Sequence, residues 1–540
     1  MGLDNNCIYS IGDHRCCQDK KTKYIGEYNI NIGEIISRHA KYRPNHTAVV
    51  FGGKKLSYVA FNDQVNALAN GLLDAGITKG DKIATVLPNS IELLILYWAA
   101  PKIGAVIVPM SPLLQPAGIS KLAIQSDAKM IMTSSSYVSI VEQAVQNISG
   151  ISKDCVIITG DISVKNFRRY KDLVSKTTNE PPKASIKGED IYNIIFSSGT
   201  TGEPKGIIHT HYIRAMYCAL LSQAFRYKPE SISLHTGSVI FNGAFLTLMP
   251  SFFNGGTFIL HETFSVDKMI ETIQKEKVTH IAMVPSQITA LLNHPNIKRN
   301  QLESLEMLLS VGAPLHLSQK KQLLELIPNR FYELYGITEG FMTLLDKTDA
   351  KRKMGSVGSC TPFFNMRICN DKGDDLEPGE IGEIVGNSPL TMPGYYKRPN
   401  ETKKILRDGW LFTGDLGYVD EEGFLFLVDR KKDMIITGGV NVYPKDIEEI
   451  VMHHPSVVEV AVFGVSDEKW GETPVAAIIL KSAEKNTEIE IKDWINSNVH
   501  AKYQRVSKVI IKKDFPRNVA GKILKRVMRE EFNTEAVFDV

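Results

Sequence analysis

The chain has 540 residues with 63 basic and 60 acidic side chains, which gives a formal net charge of +3. At roughly 100–200 residues per domain, such a chain folds into several units or into one large composite core with a smaller companion. The near balance of charge argues against nucleic-acid binding through bulk positive charge. Because 43% of the residues are hydrophobic and 23% are charged, the chain can bury a large core, and wholesale disorder is excluded.

The seven cysteines form no Cys-x-x-Cys pair, and an odd number over this length is not a disulfide framework. Cys16 and Cys17 have His14 nearby, but the four ligands of a zinc site are missing. The N-terminus lacks a signal-peptide pattern, and Asn6 stands where a myristoylation signal requires Ser or Thr. No apolar run reaches the roughly 18 residues of a transmembrane helix. We therefore predict a reduced, cytoplasmic protein, for which peripheral membrane contact stays open.

Periodicity predicts the first elements. Residues 1–26 are polar and aperiodic, which predicts a flexible N-terminal arm. Phe61, Val65, Leu68 and Leu72 recur at the spacing of one helix face. After them, strand and helix patterns alternate, which is typical of parallel sheets with helices on both faces. The predicted elements are strand 82–87, helix 90–103, strands 105–108, 156–159, 191–196 and 257–260, helix 266–275 and strand 280–284.

The pattern changes after about residue 355. Glycines and short strands become dense there, which predicts hairpins. Beyond a charged step at 429–433, the predicted elements are helix 444–452, strands 457–463 and 475–480, helix 489–499 and strand 506–511. About 110 residues suffice for a separate small α+β domain. We predict a boundary near Arg430, with one domain at 27–430 and the other at 431–540.

The strongest local motif is Phe196-Ser-Ser-Gly-Thr-Thr-Gly-Glu-Pro-Lys-Gly206, which follows a predicted strand. Small hydroxyl residues and glycines let hydroxyl and backbone N–H groups converge on phosphate oxygens, and Lys205 adds a positive charge. Pro204 stands where a Walker A loop requires glycine, so the motif is not a Walker A loop. The alternative is a flexible surface loop.

This motif resembles the phosphate-binding loop of the AMP-forming acyl-CoA synthetase family within the adenylate-forming ligases. Four further motifs resemble the family's in order: Tyr335-Gly-Ile-Thr-Glu339, Trp410-Leu-Phe-Thr-Gly-Asp415, Asp429-Arg-Lys-Lys-Asp-Met-Ile-Ile-Thr-Gly-Gly439 and Pro516-Arg-Asn-Val-Ala-Gly-Lys522. The resemblance runs from about residue 30 almost to the end. It implies an α/β fold whose composite N-terminal domain combines mixed and parallel sheets, flanked by helices, with a small β-barrel-like part. The C-terminal α+β domain would be mobile.

The resemblance implies ATP, Mg²⁺ and coenzyme A as cofactors. The implied ATP contacts are Ser197, Ser198, Gly199, Thr200, Thr201, Gly202, Lys205, Gly312, Ala313, Tyr335, Gly336, Thr338, Asp415 and Arg430. Glu339 would hold Mg²⁺, whose hard character suits one or two carboxylates. Lys522 would be catalytic together with Thr338 and Glu339. It would contact the acyl carboxylate and the α-phosphate at once, although a solvated lysine is the alternative.

The C-terminal domain of this family rotates between two half-reactions. Lys432, two positions after Arg430, matches the hinge that must absorb this rotation. The resemblance then implies that Gly438, Gly439 and Trp470 line the channel for the pantetheine arm of CoA, where glycine allows close approach.

The acyl pocket departs from the family pattern. Many relatives carry a Phe-His pair before a glycine, whereas residues 238–243 place Ile240 or Phe241 at that position. The candidate acyl-pocket residues are Phe241, Asn242, Ser286 and Met342. An apolar lining by Phe241, Ala244 and Phe245 favours a fatty or aryl acid over acetate, with ordinary core packing as the alternative. The nearby His235 is more typical of a structural histidine than of a catalytic base.

Together these observations predict an ATP-dependent acyl-CoA synthetase that acts on a medium- or long-chain fatty acid, as a monomer or homodimer without a nucleic-acid partner. The alternatives are an aryl-CoA ligase, an acyl-AMP ligase that loads a carrier-protein thiol, and a luciferase-like oxidation. A different class is a lipid-binding protein that keeps the fold without chemistry. The presence of all five charged site residues argues against that class: Lys205, Glu339, Asp415, Arg430 and Lys522.

Overall fold

The computed structural model describes residues 30–175, 177–198, 203–481, 486–517 and 523–538. The predicted arm at 1–26, with its cysteines and His14, lies outside the described residues. So do five predicted site residues: Gly199, Thr200, Thr201, Gly202 and Lys522.

Residues 34–210 alternate between strands and helices. The elements are α1 Glu34–Tyr42, β1 Thr47–Phe51, β2 Lys54–Ser57, α2 Tyr58–Asp74, β3 Lys82–Val86, α3 Ile91–Lys102, β4 Val106–Met110, α4 Pro116–Ser126, β5 Ala128–Ser134, α5 Val138–Val145, β6 Val156–Thr159, β7 Arg168–Arg169, α6 Tyr170–Val174, β8 Ile191–Ser198 and β9 Pro204–Thr210. Serine side chains cap the N-termini of two of the longer helices. Ser57 Oγ accepts from Ala60 N at the start of α2, and Ser90 Oγ accepts from Leu93 N at the start of α3.

The alternation continues to residue 345. The elements are α7 His211–Ala224, β10 Ile232–His235, α8 Phe245–Asn254, β11 Thr257–Leu260, α9 Val266–Glu276, β12 His280–Met283, α10 Pro285–Leu292, β13 Met307–Val311, α11 Leu317–Leu326, β14 Phe331–Ile337 and β15 Phe341–Leu345. Helix α3 is buried on all sides from Leu93 to Lys102, as expected for a helix enclosed within a layered core.

Short strands dominate from residue 365 to 430, and a compact α+β arrangement follows. The first group is β16 Asn365–Cys369, β17 Gly382–Asn387, α12 Pro399–Ile405, β18 Leu406–Arg407, β19 Trp410–Val419 and β20 Leu425–Arg430. The second group is β21 Ile435–Thr437, β22 Val440–Val442, α13 Pro444–Val451, β23 Val457–Asp467, β24 Gly471–Leu480, α14 Glu488–Asn498, β25 Lys508–Ile511 and α15 Lys525–Phe538.

Four sheets organise these strands. A seven-stranded sheet has the order β7-β6-β5-β3-β4-β8-β9, and an eight-stranded sheet has the order β15-β14-β13-β12-β10-β11-β1-β2. Both are parallel except at hairpins: β8 with β9 in the first, β14 with β15 and β1 with β2 in the second. One apolar cluster joins the facing sides of these two sheets through α2, α3, α7 and α8. The outer faces carry their own clusters, so helices cover both sheets on both sides.

The remaining sheets are smaller. Strands β16, β17, β19, β18 and β20 form an antiparallel sheet next to the two large ones. Strands β22, β21, β24, β23 and β25 form the C-terminal sheet, whose core is separate. The predicted α/β fold class is therefore confirmed. Every predicted strand and helix is present, and β23 and β24 extend furthest beyond their predicted ends because they pair as one long hairpin.

Helix α13 connects the C-terminal sheet to the rest of the chain. Lys445 Nζ donates to the carbonyl oxygen of Leu427 at 2.7 Å, and its backbone N–H donates to Asp429 Oδ2 at 3.2 Å. One turn later, Glu449 lies 3.2 Å from Nδ1 of His316 on the N-terminal side. None of the helices in the described ranges is both long and apolar enough to cross a membrane.

Gly358 connects the eight-stranded sheet with the antiparallel one. Its carbonyl oxygen accepts from Leu425 N at 2.8 Å, and the next residue pairs with Leu344 of β15. Its φ is +93°, and an added Cβ would lie 1.9 Å from the carbonyl carbon of Leu344. Neither the backbone conformation nor the space accepts a side chain.

We predict that Gly358→Ala destabilises the protein by more than about 4 kcal/mol, because the methyl group clashes with a paired backbone. Gly150→Ala is the matched control, since Gly150 has a φ of +97° but open space around its Cβ position. The control should cost only about 1 kcal/mol, the price of the left-handed backbone alone. Thermal unfolding measures both variants, and equal shifts in Tm would contradict the steric explanation.

Candidate active site

Three of the predicted nucleotide contacts lie where strands of the eight-stranded sheet end: Gly312, Ala313 and Tyr335. Strands β13 and β14 are parallel, with Val311 opposite Leu334. The same register places Gly312, which follows β13, beside Tyr335 near the end of β14. Gly312 and Ala313 are both exposed, and Gly312 has a φ of +99°. The carboxyl ends of parallel strands are the usual ligand-binding edge of such sheets.

A hydrogen bond joins this edge to the antiparallel sheet. The hydroxyl of Tyr335 donates to Asp415 Oδ2 at 2.8 Å, and Arg430 Nε lies 3.4 Å from Asp415 Oδ1. Asp415 and Arg430 are direct partners across β19 and β20, so the sheet register sets their pairing. Burial first, and then the Asp415 carboxylate, raises the pKa of Tyr335 well above its ordinary value, so its hydroxyl stays a donor. The structure thus brings together three residues that the sequence predicted separately.

The turn between β14 and β15 carries Thr338 and Glu339. It reverses the chain within three residues, since Ile337 pairs with Phe341. Gly340 closes the turn at a φ of +112°, where an added Cβ would lie 1.9 Å from the carbonyl oxygen of Leu390. The turn is therefore packed tightly, and its backbone holds Thr338 and Glu339 at the sheet edge.

Lys205 reaches the same turn through a residue that the sequence analysis missed. Nζ of Lys205 lies 5.1 Å from the ring centroid of Tyr395, and the hydroxyl of Tyr395 donates to Glu339 Oε1 at 2.7 Å. Backbone bonds hold this arrangement, because Tyr396 N donates to the carbonyl oxygen of Gly206 at 2.8 Å. Tyr395 thus connects the end of the phosphate-loop motif to the predicted Mg²⁺ ligand.

No periodicity or motif in the sequence singled out Tyr395. It lies in the segment Met392-Pro-Gly-Tyr-Tyr396, where Pro-Gly alone predicts a turn. Residues 199–202 of the phosphate-loop motif lie outside the described part. The strands on either side of them are paired, with Ser197 opposite Lys205 across β8 and β9.

Glu339 fits a Mg²⁺ ligand by its chemistry. One carboxylate oxygen accepts from Tyr395, and the other is left for a cation. The described ranges contain no group of three or more His, Cys, Asp or Glu residues that could hold a metal by themselves. A single carboxylate together with substrate phosphates is the usual arrangement for Mg²⁺.

The acyl candidates are divided between exposed positions and the core, and we call the partly exposed surface at Phe241 and Asn242 the candidate acyl cleft. Phe241 and Asn242 are partly exposed at the short turn ahead of α8, and Ser286 is exposed in the first turn of α10. Met342 is buried opposite Gly336 of β14. Ala244 and Phe245 were expected to line the pocket, but both are buried in the main core, where Phe245 packs against Tyr97 and Tyr192.

His235 is buried at the end of β10. Burial lowers its pKa to about 4, so the ring is neutral at physiological pH. This location agrees with a structural role.

The residues predicted to contact CoA lie close together at the first turn of the C-terminal sheet. Gly438 N donates to the carbonyl oxygen of Trp470 at 2.7 Å. An added Cβ on Gly438 would lie 2.9 Å from the Trp470 ring, so glycine is needed for this contact. Gly439 follows at a φ of +81° in open space. Trp470 is 49% exposed, which leaves its ring accessible to a ligand.

The hinge candidate Lys432 lies between the two parts of the chain. It follows Arg430, the last residue of β20, and precedes β21. Asp433 N and Met434 N both donate to the carbonyl oxygen of Arg430, at 2.9 and 3.2 Å. Lys432 is therefore part of a single tight turn, where a change in its backbone angles would redirect everything that follows.

The described flanks of Lys522 form a closed loop base. Arg517 pairs with Ile523, and Leu524 N donates to the carbonyl oxygen of Pro516 at 2.8 Å. The nearby Lys525 forms an ion pair with Glu448, whose carboxylate lies 2.7 Å from its Nζ. Burial alone would lower the pKa of Lys525, but Glu448 and Asp429 outweigh it and raise the pKa.

Two family models match the chain. The model of the AMP-binding enzyme covers residues 36–396, and the model of the AMP-binding enzyme C-terminal domain covers residues 446–522. The chain is 33% identical over 516 residues to the long-chain-fatty-acid–CoA ligase FadD13 of Mycobacterium tuberculosis, covering 93% of this chain and 99% of the relative. It is 31% identical over 508 residues to a feruloyl-CoA synthase of Amycolatopsis sp, with the same two coverages.

A solved structure shows the same architecture. The crystal structure of ATP-bound MatB from Rhodopseudomonas palustris has a TM-score of 0.86 at 28% identity, covering 93% of this chain and 99% of that chain. Since the first family model alone matches well over half of the residues, the chain belongs to the family of AMP-binding enzymes.

Proposed function

We propose that the protein is an ATP-dependent acyl-CoA synthetase, which activates a carboxylic acid as its acyl adenylate and transfers the acyl group to CoA. The observation that carries this proposal is a convergence at one sheet edge. Tyr335, Asp415 and Arg430 form one hydrogen-bonded group there, and Lys205 and Glu339 meet through a tyrosine beside it. The relatives' names, a fatty-acid–CoA ligase and a feruloyl-CoA synthase, support the reaction type.

The first half-reaction makes the carboxylate reactive. A carboxylate oxygen attacks the α-phosphorus of ATP, a C–O–P anhydride forms, and the bond to the β-phosphate breaks with release of pyrophosphate. Protein groups mainly position the reactants and neutralise charge in such transfers. In this proposal Asp415 accepts from the ribose hydroxyls, while Lys205 and Lys522 supply positive charge. Bound Mg²⁺, held by Glu339, would neutralise phosphate oxygens.

The second half-reaction transfers the acyl group. The thiol sulfur of CoA attacks the acyl carbon, the bond to AMP breaks, and the thiol proton is released. Gly438, Gly439 and Trp470 are the groups proposed to receive the pantetheine arm, after a rotation at Lys432. This role is supported by the exposed ring of Trp470 beside two glycines with positive φ.

The acid class is the finer part of the proposal. Phe241 keeps an apolar surface at the cleft, which supports a medium- or long-chain fatty acid over acetate. An aryl acid is the second candidate, because a feruloyl-CoA synthase is among the relatives. A carrier-protein thiol presents the same pantetheine arm as CoA and is the alternative acceptor.

The proposed function is tested by AMP release from ATP with a panel of fatty and aryl acids, in the presence and absence of CoA. We expect CoA to increase AMP release with at least one acid, because the thiol removes the adenylate from the site. Acid-dependent pyrophosphate release that CoA does not accelerate would contradict CoA as the acceptor. A carrier protein bearing pantetheine is then the thiol to assay.

We predict that Lys522→Ala slows adenylation by at least roughly a hundredfold, because it removes a charge that stabilises the transition state. Thioester formation from supplied acyl adenylate should be largely retained, since that step does not use the lysine. The exposed Lys513 of the same domain provides the control variant Lys513→Ala, which should leave both rates unchanged. An equal fall in the two half-reactions of Lys522→Ala would refute its assigned role.

We predict that Asp415→Asn raises the KM for ATP roughly tenfold or more, because a charged acceptor is lost from the proposed ribose contact and from Arg430. The measurement is the ATP dependence of pyrophosphate release. Asp408→Asn is the control: Asp408 is exposed in a turn at a φ of 50°, which asparagine adopts readily. If both variants change the KM alike, Asp415 does not contact the nucleotide.

A further inference from the structure

A buried arginine without a carboxylate partner lies behind the candidate acyl cleft. Arg214 of α7 has no exposed surface, and its Nη1 and Nη2 donate to the side-chain oxygens of Asn242 and Asn193, each at 3.0 Å. Its Nε and the Nδ2 group of Asn193 have no hydrogen-bond partner among the described residues. Aromatic rings surround the guanidinium, with Phe245 at 4.1 Å and Tyr217 at 4.8 Å to the ring centroids.

Such a group is costly unless something compensates its charge. A guanidinium stays protonated in proteins, and burying it without an anion carries a large desolvation penalty. The burial lowers the pKa of Arg214, and no described acidic residue forms an ion pair with it. The acidic side chains outside the described part are those of Asp4, Asp13, Asp19, Glu27, Glu484, Glu535 and Asp539.

Another buried cation of the same domain is compensated fully. Lys102 of α3 donates to Ser37, Asn62 and Asn66 at 2.6 to 2.9 Å, so each of its three N–H donors has an oxygen. Lys320 is paired with the carboxylate of Glu333 at 2.5 Å. Arg214, with five N–H donors and two amide oxygens as partners, is a fully buried cation that the described fold leaves under-satisfied.

Arg214 also fixes which atoms Asn242 presents to the cleft. Because a guanidinium only donates, Asn242 must accept through its Oδ1 atom. Its Nδ2 group then donates to the hydroxyl oxygen of Tyr217 at 2.9 Å. One N–H of Asn242 and the O–H of Tyr217 remain as donors. Asn242 is partly exposed, so this wall of the cleft presents hydrogen-bond donors in a positive field.

The cluster continues to the turn that carries Thr338. His209 of β9 donates through Nε2 to the carbonyl oxygen of Thr338 at 3.0 Å. Burial, and then the charge of Arg214, holds the pKa of His209 well below its ordinary value. His209 is therefore neutral, and Arg214 supplies the positive charge between the adenylation turn and Asn242.

We propose that Arg214 is a positioning residue that, through Asn242 and Tyr217, selects acids whose acyl group carries a second oxygen acceptor over acids that end in a methyl group. A second carboxylate accepts from the N–H and O–H donors and also compensates the charge of Arg214. A ketone oxygen only accepts from the donors. This inference rests on the proposed function and narrows its acid class: the favoured acid is not a plain fatty acid, which ends in a methyl group, but one that carries a second oxygen acceptor.

The test uses acids of equal chain length, from four to eight carbons: the monocarboxylate, the dicarboxylate and the keto acid with its oxygen next to the terminal methyl. The kcat/KM of CoA-dependent AMP release is measured for each. At the best length, we expect an oxygen-bearing acid to exceed the methyl-ended acid by about tenfold or more, because buried donors reject a partner that lacks an acceptor. A preference for the dicarboxylate over the keto acid assigns the effect to charge, and equal preference assigns it to hydrogen bonding.

Two variants separate this role from a structural one. Asn242→Leu removes the donor at the cleft and should reduce the ratio between oxygen-bearing and methyl-ended acids to about one. Asn242→Asp pairs with Arg214 and presents a carboxylate, so it should discriminate against the dicarboxylate. Asn254→Leu is the control, because Asn254 lies at the end of α8 and bonds Ser222 and Pro250; its ratio should match the wild type.

If the wild type has the same kcat/KM for methyl-ended acids as for oxygen-bearing acids, this inference alone is overturned. An Asn242→Leu variant that lowers kcat/KM for both kinds of acid equally would also overturn it. Absence of AMP release with every fatty, aryl, keto and dicarboxylic acid would instead overturn the proposed function, and this inference with it.

Discussion

The hydrogen bond between Tyr335 and Asp415 is the contact on which the arrangement of the site depends. It joins the end of a parallel strand in one sheet to an antiparallel strand in another. Two strand registers set its geometry. Asp415 faces Arg430 across β19 and β20, and the pairing of β13 with β14 sets the position of Tyr335. Partly buried and kept protonated, Tyr335 acts as a fixed donor to a carboxylate, and such charge-assisted bonds are strong. The carboxylate of Asp415, the proposed acceptor for the ribose, is thus held in place before any ligand arrives.

A second set of contacts connects the C-terminal sheet to this site. Helix α13 contacts the N-terminal part of the chain through polar groups, such as Lys445 with Leu427 and Glu449 with His316. The C-terminal sheet keeps its own apolar core, so a change at the Lys432 turn need not disturb its folding. Polar contacts can be exchanged for water at modest net cost, whereas a shared apolar core could not. This division is consistent with a domain that rotates about a short hinge.

At the candidate acyl cleft, an apolar side chain is buried and a polar one is left partly exposed. Phe245, expected to line the cleft, instead packs into the core against Arg214, which leaves the polar Asn242 at the surface of the cleft. The sequence named both residues for the acyl pocket but did not decide which of them is buried. Tyr395 and His209 were missed because they act through long-range contacts, such as those to Glu339 and to Thr338. A single distant contact leaves no spacing pattern in the sequence.

The sequence by itself determined the alternation of strands and helices, the fold class and the identity of motif residues such as Lys205, Glu339 and Asp415. These follow from local rules, namely hydrophobic period, turn chemistry and short motifs, which act over a few neighbouring residues. Only the tertiary structure decided that Tyr395 bridges Lys205 to Glu339, and that Arg214 is buried with amide oxygens as its partners. Strand register and side-chain packing set those contacts between residues far apart in the chain, and no local pattern records which distant groups will meet.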